Sequence, residues 1–244
     1  MEITYNNQTI DFTMPPNKHI VLSLSGGADS AALFYLACKH YPEKVYLPFT
    51  GLDENAPKDA EAARLITRFM KQKFKTLQIK NTRVFNFNDR EYKYTTHKAV
   101  KRTKKKQFPG MNMRQVSKMV QLRSMSAKMR TKYPLSFEID AITANPSMQE
   151  MQEGNFGHFG ERRRDLDEAA NTMGAKRWQP FINVNKKFIA DIYNQNGLLN
   201  NLFALTRSCT GNRYDTDNFT KECHKCFWCF EKRWAFDLDW NEND

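Results

Sequence analysis

The chain contains no apolar run that approaches the roughly 20 residues needed to span a bilayer. Its first residues, MEITYNNQTIDF, include neither the basic segment nor the apolar segment of a secretory leader. These two absences exclude the usual signals for a membrane-spanning or exported protein. We therefore expect a soluble, cytoplasmic protein.

Cysteine is also scarce, and the number of cysteines is odd. There are five among 244 residues, and three of them form the pattern C-x-x-C-x-x-C. A secreted domain linked by disulfides would instead have an even number of cysteines, each with a partner. The spacing predicts metal ligands together with one spare thiol.

Acidic residues are outnumbered, with 27 Asp and Glu against 38 Lys and Arg, and the formal net charge is +11. This charge favours anionic partners such as nucleotides, nucleic acids or acidic protein surfaces. Fourteen of the basic residues lie between Arg90 and Lys132, a stretch that contains one acid, Glu91. Its centre, KAVKRTKKKQF, is either a solvated loop or an arm that binds a nucleic-acid backbone with the help of neighbouring aromatic residues.

Strand-like and helix-like segments alternate along most of the chain, which indicates crossover units and a parallel sheet. Strands are predicted at 20–24, 44–50, within 76–87 and at 137–145, and helices at 29–39, 56–74, 113–130, 161–173 and 186–197. In the helix 113–130, the spacing predicts an apolar face made of Val116, Met119, Val120, Arg123 and Ala127. The expected fold is a three-layer, Rossmann-like α/β fold. Residues 1–200 would form the nucleotide-binding and catalytic domain, with a basic insertion at 90–132, and 201–244 a metal-binding element and tail.

The stretch SGGADS, Ser25 to Ser30, lies between the first buried strand and the first helix. Glycines at such a junction let an anion approach the unpaired N–H groups and the positive dipole of the helix start. Ser25 and Ser30 add hydroxyl donors, and Asp29 is suited to hold Mg²⁺ or to cap the helix. The glycine spacing differs from those of the Walker and dinucleotide motifs. An ordinary strand-to-helix turn is the alternative interpretation.

This stretch resembles the S-G-G-x-D-S signature of the PP-loop ATP pyrophosphatase superfamily, whose specified positions all match. The resemblance implies that Ser25, Gly26, Gly27, Ala28, Asp29 and Ser30 bind the phosphates of ATP. Enzymes with this signature cleave ATP between the α- and β-phosphates and transfer AMP to an oxygen of the acceptor. The resulting adenylate is then displaced by a nucleophile.

The cysteines near the end of the chain are Cys209, Cys223, Cys226 and Cys229. Four thiolates at this spacing suit a tetrahedral Zn²⁺ site. An iron–sulfur cluster and a set of redox or persulfide-carrying thiols remain alternatives. Cys38 lies within the first helix, where a small buried apolar role is expected.

Four further stretches extend the likeness: FPGMN, QPFINVNKKFIADIYNQNG, TRSCTG and CHKCFWCFEKRWAF. Together with the loop and the cysteines, they make the chain similar to the 7-cyano-7-deazaguanine synthase family, which contains zinc and serves queuosine biosynthesis. The resemblance implies an ATP-dependent C–N ligase that adenylates 7-carboxy-7-deazaguanine and, with ammonia, forms an amide and then a nitrile. It places Gly110 and Asn112 near the nucleotide and Lys186 near the phosphates, and it gives zinc a structural role.

The chain also departs from this family. Met111 stands where the family has arginine, and the stretch NPSMQEMQEGNFGHFGERRRD replaces an acidic substrate loop, leaving only the pair Arg164-Asp165. These changes put the acceptor in doubt while leaving ATP use intact. The rival hypotheses are an enzyme that modifies tRNA, DNA or protein, and a basic zinc-knuckle binding protein whose ATP chemistry is vestigial. Thiolation of tRNA, or reduction of an adenylyl sulfate, would need a reactive cysteine outside the metal set. Cys38 alone is available, within the first helix, and this counts against both reactions. The oligomeric state, a homodimer being one option, is not decided by the sequence.

Overall fold

The computed structural model describes residues 1–52, 57–86, 113–153, 170–174 and 176–239, and the side chains of helix residues 113–119 are not described. The strands are β1 (Glu2–Tyr5), β2 (Gln8–Asp11), β3 (His19–Ser23), β4 (Val45–Leu52), β5 (Gln78–Ile79), β6 (Arg83–Asn86), β7 (Phe137–Ile139) and β8 (Arg177–Trp178). The helices are α1 (Ala28–His40), α2 (Pro57–Lys73), α3 (Met113–Lys132), α4 (Met148–Glu153), α5 (Lys186–Gln195) and α6 (Phe227–Phe236), with a 3₁₀ turn at Phe203–Leu205.

Six of these strands form one sheet, in which every pairing is parallel. Five follow the order β5-β4-β3-β7-β8, and β6 pairs with β4 outside this order. Strand β4 is eight residues long and pairs with β5 at its start and with β6 at its end. Parallel neighbours require crossover connections, and helices supply them here. The predicted α/β class with a parallel sheet is confirmed.

The two faces of the sheet are covered by different helices, which gives three layers. Successive residues of a strand point to opposite faces. Accordingly, Ile20 and Leu22 of β3 pack in the large core with α1, α2 and α5. Val21 packs in a smaller core on the other face, against Met125 and Met129 of α3.

Helix α1 is buried almost all round, since ten of its thirteen residues are buried. A helix that is apolar on every side belongs in the interior of a protein. Cys38 is 1% exposed, and burial raises the pKa of its thiol. The prediction that this cysteine acts as a small buried apolar residue is confirmed.

The predicted apolar face of α3 is wrong in its described part, because Arg123 and Ala127 are exposed. The helix instead buries Met125, Ser126 and Met129. Glu138 of β7, which is 3% exposed, lies under the helix and accepts hydrogen bonds from Ser126 Oγ and from Arg130 Nη1, the latter at 2.8 Å. A buried carboxylate needs such donors, so the need to pair Glu138 explains the rotation of the helix.

The sequence interpretation missed the antiparallel hairpin formed by β1 and β2. Asn6 and Asn7 form its turn with φ angles of 47° and 56°, values that suit asparagine in a two-residue hairpin turn. The signal in the sequence for this hairpin was the pair Asn6-Asn7, which lies between two short segments in which polar and apolar residues alternate. Gln8 joins this hairpin to α5 through two hydrogen bonds with Asn185, one of 3.1 Å to its Oδ1 and one of 3.0 Å from its backbone N–H.

The strand predicted at 137–145 is shorter in the structure, where β7 ends at Ile139, and the described residues 170–173 of the helix predicted at 161–173 are not helical. The strands and helices predicted at 20–24, 29–39, 44–50, 56–74 and 186–197 are present, and Gly197 follows α5 with φ of +61° as a helix stop. Most of the helix predicted at 161–173 lies outside the described residues, as do most of the basic stretch and the end of the tail. Within the described part of the chain, no helix combines the length and apolarity required to cross a membrane.

Candidate functional site

The loop Ser25–Ser30 begins just beyond the carboxyl end of β3 and runs into the first turn of α1. The next strand along the chain, β4, lies on one side of β3, and β7 lies on the other. The strand order therefore changes direction at β3. In open α/β sheets, ligands bind at the carboxyl edge where this change occurs.

Gly26 has φ of +89° and packs directly against α2. A Cβ atom at this position would stand 2.6 Å from the backbone oxygen of Asp59 and 3.1 Å from Cβ of Ala62. Both the backbone conformation and the close approach therefore require glycine.

The opposite side of the loop is covered by residues 207–208, which directly precede Cys209. The backbone N–H of Arg207 donates a 2.8 Å hydrogen bond to the carbonyl of Gly26. A Cβ on Gly27 would stand 3.4 Å from Oγ of Ser208 and 3.5 Å from Oγ of Ser25. The loop is thus enclosed between α2 and residues 207–208.

Hydroxyl groups surround this turn. Ser30 Oγ donates to the carbonyl of Gly27 at 3.0 Å and lies 3.2 Å from Ser25 Oγ. Gly27 is the N-cap residue of α1 and has no side chain to accept the hydrogen bonds of the first turn. The backbone donors and positive dipole of a helix start, with hydroxyls beside them, form an arrangement suited to a phosphate.

Three charged side chains meet beside the first turn of α1. Nζ of Lys186, the first residue of α5, lies 3.2 Å from Oδ2 of Asp29 and 3.1 Å from Oε2 of Glu231 in α6. Their side chains are 3%, 16% and 0% exposed, respectively. We call Asp29, Lys186 and Glu231 the buried triad.

A tyrosine fixes the start of α1 to α5. Tyr193 is fully buried, and its hydroxyl donates a 2.9 Å hydrogen bond to the carbonyl of Ala28. Burial raises the pKa of this phenol, so it remains a neutral donor. The orientation of the first turn is therefore set by both a hydrogen bond and an ion pair.

The four predicted metal ligands are brought together, since the sulfur atoms of Cys209, Cys223, Cys226 and Cys229 all lie within 4.8 Å of one another. Tetrahedral Zn²⁺ with Zn–S bonds of about 2.3 Å places its sulfurs about 3.8 Å apart. Cys226 is the N-cap residue of α6, and Cys229 lies in the first turn of that helix. The donor set and the spacing fit zinc.

Backbone groups support the thiol cluster. Sγ of Cys209 accepts from the N–H of Gly211 at 3.3 Å and from that of Cys223 at 3.2 Å, and Sγ of Cys226 accepts from the N–H of Thr210 at 3.5 Å. The hydrogen bond with Cys226 raises the pKa of Cys209 to about 12, and hydrogen bonds with Cys209 and Cys226 raise the pKa of Cys229. Contacts with Cys209 and Cys229 lower the pKa of Cys226, so the negative charge is placed on Cys226. The cluster therefore favours a thiolate, which is the form that binds metal.

Gly211 is required for this packing. A Cβ there would stand 2.6 Å from Cβ of Cys223 and 2.8 Å from its sulfur. Real Cβ atoms do not approach other atoms so closely. Gly211, two residues after Cys209, thus allows Cys223 to pack directly against the backbone at this position.

The structure brings together the residues of the loop, Lys186 and the four cysteines in one region. Gly110, Asn112, Met111 and the pair Arg164-Asp165 lie outside the described residues. Sequence reasoning missed Ser208, the backbone of Arg207 and Glu231. The position of Ser208 beside Cys209 was visible, but its proximity to Gly27 depends on the fold.

No family model matches this chain, and no curated protein does. Solved structures similar to it include an NMN synthetase from Francisella tularensis (17% identity, 94% of this chain and 91% of that chain, TM-score 0.44). Two others are an NH3-dependent NAD synthetase from Campylobacter jejuni subsp. jejuni (14%, 78% and 69%, TM-score 0.38) and an NAD+ synthetase from Burkholderia Pseudomallei (13%, 93% and 76%, TM-score 0.42). At such low identities and TM-scores, the fold is assigned from this chain's own strands and helices, and no activity is transferred from these proteins.

Proposed function

We propose that this chain is an ATP-dependent, AMP-forming ligase of the PP-loop type that carries a structural zinc ion. The observation that carries the proposal is the loop Ser25–Ser30 at the carboxyl edge of β3, where two glycines and two serine hydroxyls meet the start of α1. Residues 1–200 would supply the nucleotide-binding and catalytic part, and 201–244 the metal-binding element.

In this proposal, the N–H groups of the loop and the hydroxyls of Ser25 and Ser30 bind the phosphates of ATP. Asp29 faces the cation that accompanies ATP, and Mg²⁺ there would neutralise charge on the departing pyrophosphate. Lys186 is held in two ion pairs, so we assign it an effect on Asp29 rather than direct contact with a phosphate. Gly110 and Asn112 remain candidate nucleotide contacts on sequence grounds alone.

The reaction we propose begins with attack of an acceptor carboxylate oxygen on the α-phosphorus. A P–O bond forms, the bond to the β-phosphate oxygen breaks, and pyrophosphate leaves. Ammonia then attacks the activated carbonyl, AMP departs, and an amide results after loss of a proton. Fixed donors aimed at the phosphates supply the main stabilisation of such a transition state.

For the acceptor, we propose 7-carboxy-7-deazaguanine, on the basis of the four sequence stretches described above. The test is release of AMP and pyrophosphate by the zinc-loaded protein in the presence of Mg²⁺, ammonia and this base. We expect equal amounts of both products, dependent on the base. Formation of ADP would exclude AMP-forming chemistry, and release of AMP that is unaffected by the base would exclude the proposed acceptor.

The excess of basic residues between Arg90 and Lys132 favours a second candidate, a PP-loop enzyme that modifies a nucleic acid. Transfer of sulfur is disfavoured because Cys38, the one cysteine outside the metal cluster, is 1% exposed and has a raised pKa. Binding of tRNA and of DNA at physiological salt distinguishes the two candidates. AMP release stimulated by nucleic acid, and not by the free base, would favour the second.

A further inference from the structure

Glu231 is a carboxylate with no exposed surface, and it lies in α6 two residues after Cys229. Its Oε2 is 3.1 Å from Nζ of Lys186, and the same Nζ lies 3.2 Å from Oδ2 of Asp29. Lys186 is therefore shared between Asp29 of the loop Ser25–Ser30 and Glu231 of the metal-binding element 201–244. Glu231 lies within the stretch CHKCFWCFEKRWAF, but nothing in that pattern predicts a role for it.

The charges of the buried triad decide what this sharing does. Asp29 and Glu231 contribute two negative charges and Lys186 one positive charge, which leaves the triad at −1. If Lys186 faced Asp29 alone, the two charges would cancel beside the loop. Burial strengthens these interactions, because charges a few ångströms apart interact more strongly inside a protein than in water.

We propose that Glu231 is a positioning residue for nucleotide binding: by sharing Lys186, it makes the charge at Asp29 more negative, toward the cation that accompanies ATP, than it would be if Lys186 paired with Asp29 alone. This inference rests on the proposed function. In this inference, the ammonium group of Lys186 contacts the carboxylates of Asp29 and Glu231 and does not contact the nucleotide. It also joins α6, the helix that begins at the cysteine cluster, to the first turn of α1.

The test compares three variants of the full-length, zinc-loaded chain. Glu231→Gln keeps the size of the side chain and changes the triad from −1 to 0. The double variant Glu231→Gln with Lys186→Met returns the triad to −1. Glu222→Gln is the matched control. Glu222 is a half-buried acid of the metal-binding element 201–244, forms an ion pair of 2.9 Å with Lys232 and lies outside the triad.

The measurement is the affinity for a non-hydrolysable ATP analogue, determined by calorimetry over a series of Mg²⁺ concentrations and in EDTA. We expect Glu231→Gln to weaken the Mg²⁺-dependent affinity by about tenfold or more, the effect of one charge at this range. The affinity in EDTA should not fall. Glu222→Gln should bind as the wild type does, and the double variant should recover most of the lost affinity.

Each other outcome has a defined meaning. If Glu231→Gln binds like Glu222→Gln, the inference is wrong. A double variant that binds worse than Glu231→Gln would show that Lys186 contacts the phosphates, which also overturns it. If Glu231→Gln does not fold, the double variant alone decides, since a positioning role requires near-normal affinity there. Absence of Mg²⁺-dependent binding by the wild type would instead contradict the proposed function.

Discussion

The loop Ser25–Ser30 and the cysteine cluster are neighbours, but they are stabilised in different ways. The loop leads into α1, in which ten of thirteen residues are buried, and the strand before it lies at the centre of the sheet. Across 207–226, a range described throughout, only Cys209, Thr216 and Cys223 are buried. In that range, Asp217, Asn218, Phe219 and His224 have positive φ angles.

The difference teaches that the loop Ser25–Ser30 depends on the apolar core, and we expect the cysteine element to depend on a metal ion bound by its four thiols. A segment with so few buried apolar side chains cannot offset the conformational entropy lost on folding. Zinc binding supplies that free energy in small metal-binding domains. The loop should therefore persist without metal, whereas the cysteine element should not.

The largest expected effect follows removal of zinc from the loaded protein with a chelator. Structural zinc sites contribute about 10–16 kcal/mol in isolated zinc-finger peptides, so we expect residues 207–226 to unfold locally. Hydrogen exchange measured by mass spectrometry should show loss of protection there, with α1 and β3 still protected. Cys229→Ser should reproduce the effect, and Cys38→Ala should not. Equal loss of protection in both regions would contradict the comparison.

The next largest effect is expected for the substitution Gly26→Ala, which tests the loop Ser25–Ser30. A left-handed conformation and a contact of 2.6 Å with the backbone of Asp59 would both have to be relieved. We expect a loss of about 2–4 kcal/mol in the free energy of unfolding, measured with urea. Gly197→Ala is the matched control, because Gly197 has φ of +61° with no described atom within 4 Å of the added Cβ. That variant should lose only about 1–2 kcal/mol.

A smaller effect is expected for Gly211→Ala, which alters the packing of the cysteine cluster. The added methyl group would displace Cys223, whose Cβ and sulfur stand 2.6 and 2.8 Å away. We expect zinc affinity to fall by about 10–100-fold, in the range seen when groups that orient metal ligands are altered. Competition with a chromogenic chelator measures this change. Unaltered zinc affinity would mean that the loop at Cys223 adjusts without strain.

The smallest effect is expected for Gln8→Ala, which removes two hydrogen bonds to Asn185 before the start of α5. We expect a loss of about 1–2 kcal/mol in the free energy of unfolding of the zinc-loaded protein. Thr9→Ala, in the same strand, removes one exposed contact with Thr4 and should change the value by less than about 0.5 kcal/mol. Equal effects of the two variants would show that the hairpin does not support α5.

Much of the fold could be predicted because its signals are local. The buried run of β3, the two glycines and the apolar helix stand in one contiguous stretch, so the loop and its context were both visible. The face of α3 was not, because it is set by Glu138, a residue of another element. Strand β8 has two residues, too few for a detectable alternation.

The candidate site divides in the same way. The ligand set of the cysteine cluster was evident from spacing, since three of its members are three residues apart. Glu231 had no such signal, because an acid next to a lysine in a helix is usually a solvated surface residue. Its burial, and its contact with Lys186, depend on how α5 and α6 pack. The side chains that connect two motifs are thus harder to predict than the motifs.

The short outer strands have a consequence for behaviour at high concentration. In the described part of the chain, the sheet ends in β8 on one side and in β5 and β6 on the other, and these strands have two to four residues each. Long unpaired edges act as templates on which other chains add strands and aggregate. Borders this short present few unsatisfied backbone groups, so edge-to-edge polymerisation of the folded protein is disfavoured by its architecture.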